Sequence, residues 1–232
     1  DGPALVIAGP GSGKTTVIVN RVYNLIIKHS IKPSSILVIT FTKAAAVSMK
    51  ERFMSLEGSL NVPVTFGTFH AVFFTILRRA YNYSVNSIIT RDLQYNFIRD
   101  KLISFELEYS DENETVNSIL SQISKVKNEC LNIDEYISTA CPYETFRIIY
   151  KEYGKMLISR RLIDYDDMVV LCNELLTQRA DYKAAWQDKY KYILIDEFQD
   201  INKMQFDTIK LIAGDSANIF AVGDDDQSIY GF

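Results

Sequence analysis

The stretch Ala8-Gly-Pro-Gly-Ser-Gly-Lys14-Thr15 decides the fold of this chain. It follows an apolar run at residues 4–8 and opens a segment, 15–29, with helical periodicity. Small residues let the backbone curl so that its N–H groups point inward, and a helix N-terminus adds the positive end of its dipole. A strand, a glycine-rich turn ending in Lys-Thr and a helix therefore predict a phosphate-binding loop.

The end of this loop carries the residue types that nucleotide chemistry needs. Lys14 would place a cation on the β- and γ-phosphates of ATP, and Thr15 would offer its hydroxyl to Mg²⁺. Ala8 stands where the P-loop consensus has its first glycine, a small change that the loop should tolerate. An ordinary glycine-rich turn is the weaker alternative, because spacing and context both fit. The expected nucleotide-binding residues are Ala8, Gly9, Pro10, Gly11, Ser12, Gly13, Lys14, Thr15 and Thr16, with Asp196.

Short apolar runs alternate with amphipathic segments along the rest of the chain. The runs are continuous rather than alternating, which is typical of parallel strands covered by helices on both faces. This order predicts a doubly wound α/β domain. The predicted strands are 4–8, 36–40, 64–66, 192–196 and 219–223, and the predicted helices are 15–29, 43–56, 68–81, 165–178 and 203–213.

Residues 91–158 interrupt this alternation. They contain no convincing strand, and helical periodicity appears at 93–105, 116–127 and 143–158. We therefore expect an inserted, all-helical subdomain at 91–158, with the α/β domain formed by residues 1–90 and 159–232.

A pair of acidic residues ends the apolar run in Tyr192-Ile-Leu-Ile-Asp196-Glu197-Phe-Gln-Asp200. Asp196 is expected to hold Mg²⁺ together with Thr15, and Glu197 to polarise the attacking water as general base. The alternative is a solvated acidic turn. The phosphate-binding loop earlier in the chain favours the catalytic interpretation.

A third polar segment, Val222 to Phe232, also follows an apolar run, so it should emerge at the carboxyl edge of the sheet. Gln227 is placed to sense a γ-phosphate through its amide. The three aspartates before it would by themselves indicate only a solvated loop.

Together these segments resemble motifs I, II and III of UvrD/Rep/PcrA-type helicases of superfamily 1. The matching strings are Gly-Pro-Gly-Ser-Gly-Lys-Thr, Asp-Glu-Phe-Gln-Asp and Gly-Asp-Asp-Asp-Gln-Ser-Ile-Tyr-Gly-Phe. The segment from Thr40 to Ala46 is similar to motif Ia, and Gly67-Thr-Phe-His70 to motif Ib. Lys43 stands where many relatives have asparagine. The resemblance covers the whole chain.

The resemblance implies a RecA-like P-loop domain with an inserted helical subdomain. It also implies ATP-driven translocation on single-stranded DNA, usually 3′ to 5′, with unwinding of the duplex ahead. Lys14, Glu197 and Gln227 would be catalytic. Motifs Ia, Ib and III would touch DNA on a face separate from the nucleotide pocket, through Phe41, Thr42, Phe69, His70, Tyr230 and Phe232. Aromatic rings can stack on bases, although each phenylalanine could instead be core and His70 a structural histidine.

Other parts of the helicase pattern are missing from this chain. It has neither the upstream glutamine motif nor motifs IV to VI, so we expect a second RecA-like domain as its partner and slow turnover without it. Two alternatives stay open: the helicase part of a recombination helicase–nuclease, and a regulatory P-loop ATPase that drives no motor.

Composition adds weaker expectations. A formal net charge of −4 gives no global basic field, although a local basic lining can suffice for DNA. Cys130, Cys141 and Cys172 form no metal-binding spacing, which favours reduced thiols in a cytoplasmic protein with no disulfide and no structural metal. No apolar run approaches the ~20 residues that cross a membrane.

Overall fold

The computed structural model describes residues 2–9, 11–56, 62–215 and 218–224. Within them the chain forms a five-stranded parallel sheet with the order β1-β5-β4-β2-β3. This confirms the predicted α/β class and its parallel sheet. The strands are β1 Ala4–Ile7, β2 Ile36–Thr40, β3 Thr65–Thr68, β4 Tyr192–Ile195 and β5 Asn218–Gly223.

Helices form at all the places where the sequence predicts them, and one more helix, α8, is added. The sequence pattern misses α8 because only Trp186 of its side chains is buried, so no apolar stripe marks it. The helices are α1 Lys14–Ile27, α2 Lys43–Ser55, α3 Phe69–Tyr81, α4 Arg91–Ser104, α5 Glu112–Asn128, α6 Tyr143–Ser159, α7 Tyr165–Gln178, α8 Ala180–Lys189 and α9 Lys203–Ala213.

The central strands of the sheet are buried on both faces. Val38, Leu194 and Val222 belong to a core cluster with the apolar side chains of α1 and α2. Leu37 and Ile193, which point to the other face, are 0% exposed. Continuous apolar runs therefore suit these strands, since neither face meets water.

The expectation that residues 4–8 form a buried strand is wrong. Among the described residues, β1 is an edge strand that pairs with β5 alone, and Leu5 and Ile7 are 55% and 61% exposed. An edge position leaves one side of a strand without a ladder partner. Apolar runs do not distinguish an edge strand from a central one, which explains the error.

The carboxyl ends of three strands meet at one edge of the sheet. Ile7 is in register with Gly223, and the Ala8 N–H continues the ladder by donating to the Gly223 carbonyl at 3.0 Å. β4 lies next to β5 in the sheet, and the Asp196 N–H that follows β4 donates to the Ile39 carbonyl of β2 at 2.9 Å. The segments that leave β1, β4 and β5 therefore begin side by side.

A second compact unit spans Phe74–Cys172, a wider range than the insertion expected at 91–158. It is helical and has a core of its own. Its apolar periodicity explains that core, because α4, α5 and α6 each direct one face inward. The buried side chains include Ile98, Leu102, Val116, Ile119, Ile123, Phe146, Ile149 and Tyr153.

A buried ion network fastens the helices of this unit. The Lys127 ammonium lies 2.7 Å from Asp164 Oδ2 and 2.6 Å from Asp167 Oδ1. The Tyr153 hydroxyl donates to Asp164 at 3.1 Å. Two carboxylates around one buried cation satisfy charges that would otherwise destabilise the fold.

The three cysteines are unpaired, with Cys172 buried, Cys141 half-buried and Cys130 exposed. Burial raises the pKa of the Cys172 thiol, so this thiol stays protonated. None of the helices in the described residues is long and apolar enough to cross a membrane.

Candidate active site

The loop between β1 and α1 has the backbone that a phosphate cradle needs. Gly11 and Gly13 adopt φ values of +70° and +89°, in the left-handed region that side chains disfavour. Apart from a contact of 4.0 Å to the Thr16 side chain, the space where their Cβ atoms would lie is open. The chain then enters α1 at Lys14, and first-turn N–H groups have no intrahelical acceptors. Pro10 lies outside the described residues.

Lys14 joins this loop to the ends of β4 and β5. Its ammonium lies 3.2 Å from Asp224 Oδ2 and 3.6 Å from Glu197 Oε2. Lys14 is 9% exposed and Asp224 3%. A buried cation needs nearby anions, and a phosphate group could take the place of these carboxylates.

Asp196 is a buried carboxylate whose hydrogen-bonding capacity is unfilled. It is 4% exposed, and its Oδ1 has no hydrogen-bond partner among the described residues. Burial, and secondarily the charge of Glu197, raises the pKa of Asp196 to about 6, while Lys14 opposes the rise. Such an oxygen is suited to a cation.

Glu197 is held in an uncommon backbone conformation. Its φ is +51°, and it precedes a single 3-10 turn, Phe198–Asp200. The Gln199 amide donates to Glu197 Oε2 at 2.8 Å. The side chain of Glu197 is 36% exposed, so water can reach its carboxylate.

A cleft of about 340 Å³ brings Thr15 and Asp196 together, the two residues that the sequence pairs as metal ligands. Within the described residues, no group of three or more His, Cys, Asp or Glu side chains could hold a metal ion. The hydroxyl of Thr15 and the carboxylate of Asp196 are oxygen ligands that suit Mg²⁺, which usually takes one or two carboxylates plus waters and substrate phosphates. The cleft is lined by Thr15, Thr40, Phe41, Thr42, Ala45, Asp196, Glu197, Gln199 and Asp200.

Three residues of this site were not singled out from the sequence: Gln199, Asp200 and Asp224. Asp200 has a buried Oδ1 without a partner in the described residues, and burial and the charge of Glu197 raise its pKa. Gln199 accepts from the Asp224 N–H at 2.9 Å. All three lie inside the quoted motif strings, where their polarity beside Asp196 or Gln227 was the available signal.

The candidate DNA-contacting residues have different environments. Phe69 is 1% exposed, and its ring centroid lies 5.2 Å from that of Phe41 and 6.2 Å from that of Phe73. Phe69 is therefore packed in the core, which favours the core alternative for this residue over a DNA contact. Phe41 and His70 are half-buried. Thr42 is exposed and caps α2 by accepting from the Ala45 N–H at 3.1 Å.

Phe41 and Thr42 line the same cleft as Thr15 and Asp196. Phe41 and Thr42 therefore do not lie on a face separate from the candidate metal ligands. Gln227, Tyr230 and Phe232 lie outside the described residues.

The chain is similar to known proteins over its whole length. The model of the UvrD/REP helicase N-terminal domain matches residues 1–232. Similar proteins include DNA helicase II of Rickettsia typhi, the ATP-dependent DNA helicase Rep of Buchnera aphidicola and the ATP-dependent DNA helicase PcrA of Staphylococcus aureus. They are 35%, 36% and 34% identical to this chain. Each alignment covers 100% of this chain but only 36%, 35% and 32% of the relative, about a third of its length. Because the family model matches the whole chain, this protein belongs to the UvrD/REP helicase N-terminal domain family.

Proposed function

We propose that this chain is the nucleotide-binding motor part of an ATP-dependent DNA helicase. The observation that carries the proposal is the meeting of Lys14, Glu197 and Asp224 at one sheet edge, beside a loop with two left-handed glycines. The relatives' names favour a helicase over a regulatory ATPase. In this proposal the α/β unit is a RecA-like P-loop domain, and the helical unit Phe74–Cys172 contains the insertion expected at 91–158.

The residues of the site fit Mg²⁺-ATP in this proposal. The glycine loop and the first turn of α1 would surround the phosphates, and Lys14 would contact the β- and γ-phosphates. Thr15 and Asp196 would hold Mg²⁺, which neutralises phosphate charge when bound. The unpartnered Asp196 Oδ1 supports this assignment.

Hydrolysis would begin with an exchange of partners at Lys14. Its ammonium leaves the carboxylates of Asp224 and Glu197 for phosphate oxygens, which frees Glu197 to accept a proton. Water then attacks the γ-phosphorus, its proton passes to Glu197, and the bond to the bridging oxygen of ADP breaks. Gln227 would sense the γ-phosphate.

DNA would follow a track near the same sheet edge. We propose that Phe41, Thr42 and His70 contact single-stranded DNA, with Tyr230 and Phe232 further along the chain. An unpaired base can stack on an aromatic ring whatever its sequence. Translocation, in the 3′ to 5′ direction, and duplex unwinding need a second RecA-like domain.

ATP hydrolysis by the full-length protein, with and without single-stranded DNA, tests the proposal. We expect DNA to stimulate hydrolysis, Lys14→Ala to remove it, and Glu197→Gln to stop turnover while Mg²⁺-ATP still binds. Hydrolysis that ignores DNA would exclude the motor. Equal loss of nucleotide binding in both variants would exclude Glu197 as general base.

A further inference from the structure

Gln199 connects the proposed general base to the end of β5. Its Nε2 donates to Glu197 Oε2 at 2.8 Å, and its Oε1 accepts from the Asp224 N–H at 2.9 Å. A backbone N–H can only donate, so the amide oxygen has to face Asp224. The amide nitrogen must then face the carboxylate, which fixes the orientation of the side chain.

The backbone of Glu197 adopts a conformation that few non-glycine residues adopt. Its φ is +51°, in the left-handed region that side chains disfavour. When phosphate draws Lys14 away, Gln199 remains as a hydrogen-bond donor to the carboxylate. A general base is effective only where its oxygen is held within reach of the attacking water.

Gly223, the last residue of β5, lies close to the Gln199 side chain. A Cβ at Gly223 would lie 3.0 Å from Gln199 Oε1 and 3.3 Å from the Phe198 Cβ. Its φ is not in the left-handed region, so a side chain at this position would meet close packing rather than backbone strain. The end of β5 therefore packs closely against the Gln199 amide that binds the Glu197 carboxylate.

We propose that Gln199 is a positioning residue that aims the Glu197 carboxylate and couples it to the end of β5. Asp224 contacts both Gln199 and Lys14. Its N–H binds Gln199, and its carboxylate binds Lys14. The proposal rests on the proposed ATP hydrolysis, since it deepens the role of the same site.

Steady-state hydrolysis by the full-length protein tests Gln199 with three variants. Gln199→Ala removes both hydrogen bonds. Gln199→Glu keeps the shape and the acceptor for Asp224 but removes the donor to Glu197. Gly223→Ala keeps both groups and displaces them. We expect each variant to lower kcat by about 10- to 100-fold, while the Kd for Mg²⁺-ADP, measured by calorimetry, changes less than about threefold.

Gln187→Ala is the matched control. Gln187 is a part-buried glutamine on α8 that donates to the Leu211 carbonyl at 3.0 Å, and a Cβ at Gly214 would approach it to 2.9 Å. The same kind of packing thus occurs away from the site. We expect Gln187→Ala to lower the Tm as much as Gln199→Ala does and to leave kcat at the wild-type value.

The decisive measurement adds Gln199→Ala to Glu197→Gln. If Gln199 acts through Glu197, the residual rate of Glu197→Gln, measured in a single turnover because steady turnover has stopped, does not fall further. A further fall of the same size, unchanged kcat in the single variants, or parallel losses of kcat and Mg²⁺-ADP affinity would each overturn the proposal. Wild-type hydrolysis without DNA stimulation would refute the helicase function and still leave Gln199 testable, and a wild type that hydrolyses no ATP would refute both.

Discussion

Asp196→Asn should stabilise the protein in the absence of nucleotide and metal. Asp196 is 4% exposed and has an oxygen without a hydrogen-bond partner among the described residues. Its pKa is raised to about 6, chiefly by burial. Above that pH the folded protein keeps an ionised carboxylate in a poorly solvated place, which lowers the free energy of unfolding. Asparagine has almost the same shape and no charge.

The size and sign of this effect follow from proton linkage. An aspartate in an unfolded chain titrates near ~3.9, so the raised folded pKa means that the folded state binds the proton more readily. Protonation of Asp196 therefore stabilises the folded state, and this stabilisation is complete below pH ~3.9. It is lost as the pH rises through about 6. The folded and unfolded pKa values of Asp196 differ by about two units. This difference lowers the free energy of unfolding by at most about 3 kcal/mol above pH 7, and by roughly half of that near pH 5.

Thermal unfolding of the metal-free protein at about pH 7.5 and about pH 5 measures this difference. At the higher pH we expect Asp196→Asn to raise the Tm by up to ~6–12 °C, since each kcal/mol shifts it by ~2–4 °C in proteins of this size. At the lower pH the difference should shrink to about half. The control is Asp188→Asn, because the Asp188 side chain is 89% exposed and should change little.

Two results would refute the reasoning about Asp196. One is an asparagine variant that is no more stable than wild type near neutral pH. The other is a gain in Tm that stays the same at both pH values, because packing rather than ionisation would then be its cause. Mg²⁺-ADP provides a second readout, since it should stabilise the wild type more than the variant.

Two further outcomes follow from the described contacts. Lys127→Met should lower the free energy of unfolding by about 3–5 kcal/mol, because it leaves the buried carboxylate of Asp164 and the half-buried one of Asp167 without their cation. Denaturant titration against the exposed control Lys125→Met checks this, and a Lys127→Met variant as stable as that control would refute it. Phe69→Ala should lower the free energy of unfolding by about 3–5 kcal/mol without changing DNA affinity per folded molecule. Phe41→Ala should instead weaken single-stranded DNA binding by ~1–3 kcal/mol, as measured by fluorescence anisotropy titration. If Phe69→Ala lost DNA affinity and Phe41→Ala did not, the two roles would be reversed.

The sequence predicts the sheet well because its strands and loops are locally specified. Residues 36–39 of β2 are all apolar, as a strand buried on both faces requires, and the predicted bounds 36–40 are those observed. Gly11 and Gly13 stand where the loop needs left-handed backbone, so residue type and spacing alone indicate the turn. The acidic pair at 196–197 follows a strand, which predicts its position at the carboxyl edge.

Features that depend on partners from distant segments could not be predicted in the same way. β1 has the composition of a central strand, and only its place in the strand order exposes Leu5 and Ile7. Phe69 and Phe41 are equally apolar in the sequence, yet Phe69 alone is fully covered. Composition specifies that a residue tends to be buried, whereas the packing of other segments determines whether it is.

Gln199 is the clearest example of a role that sequence conceals. One hydrogen-bond partner lies two positions earlier, but the other lies 25 positions later and is a backbone N–H, which carries no residue identity. Besides the polarity of Gln199 within its motif, the sequence carries a trace of this role in Gly223, whose missing side chain leaves room for the amide. A glycine that ends a strand without a left-handed φ therefore indicates close packing against a neighbour, and near an acidic motif that neighbour is a candidate for positioning the base.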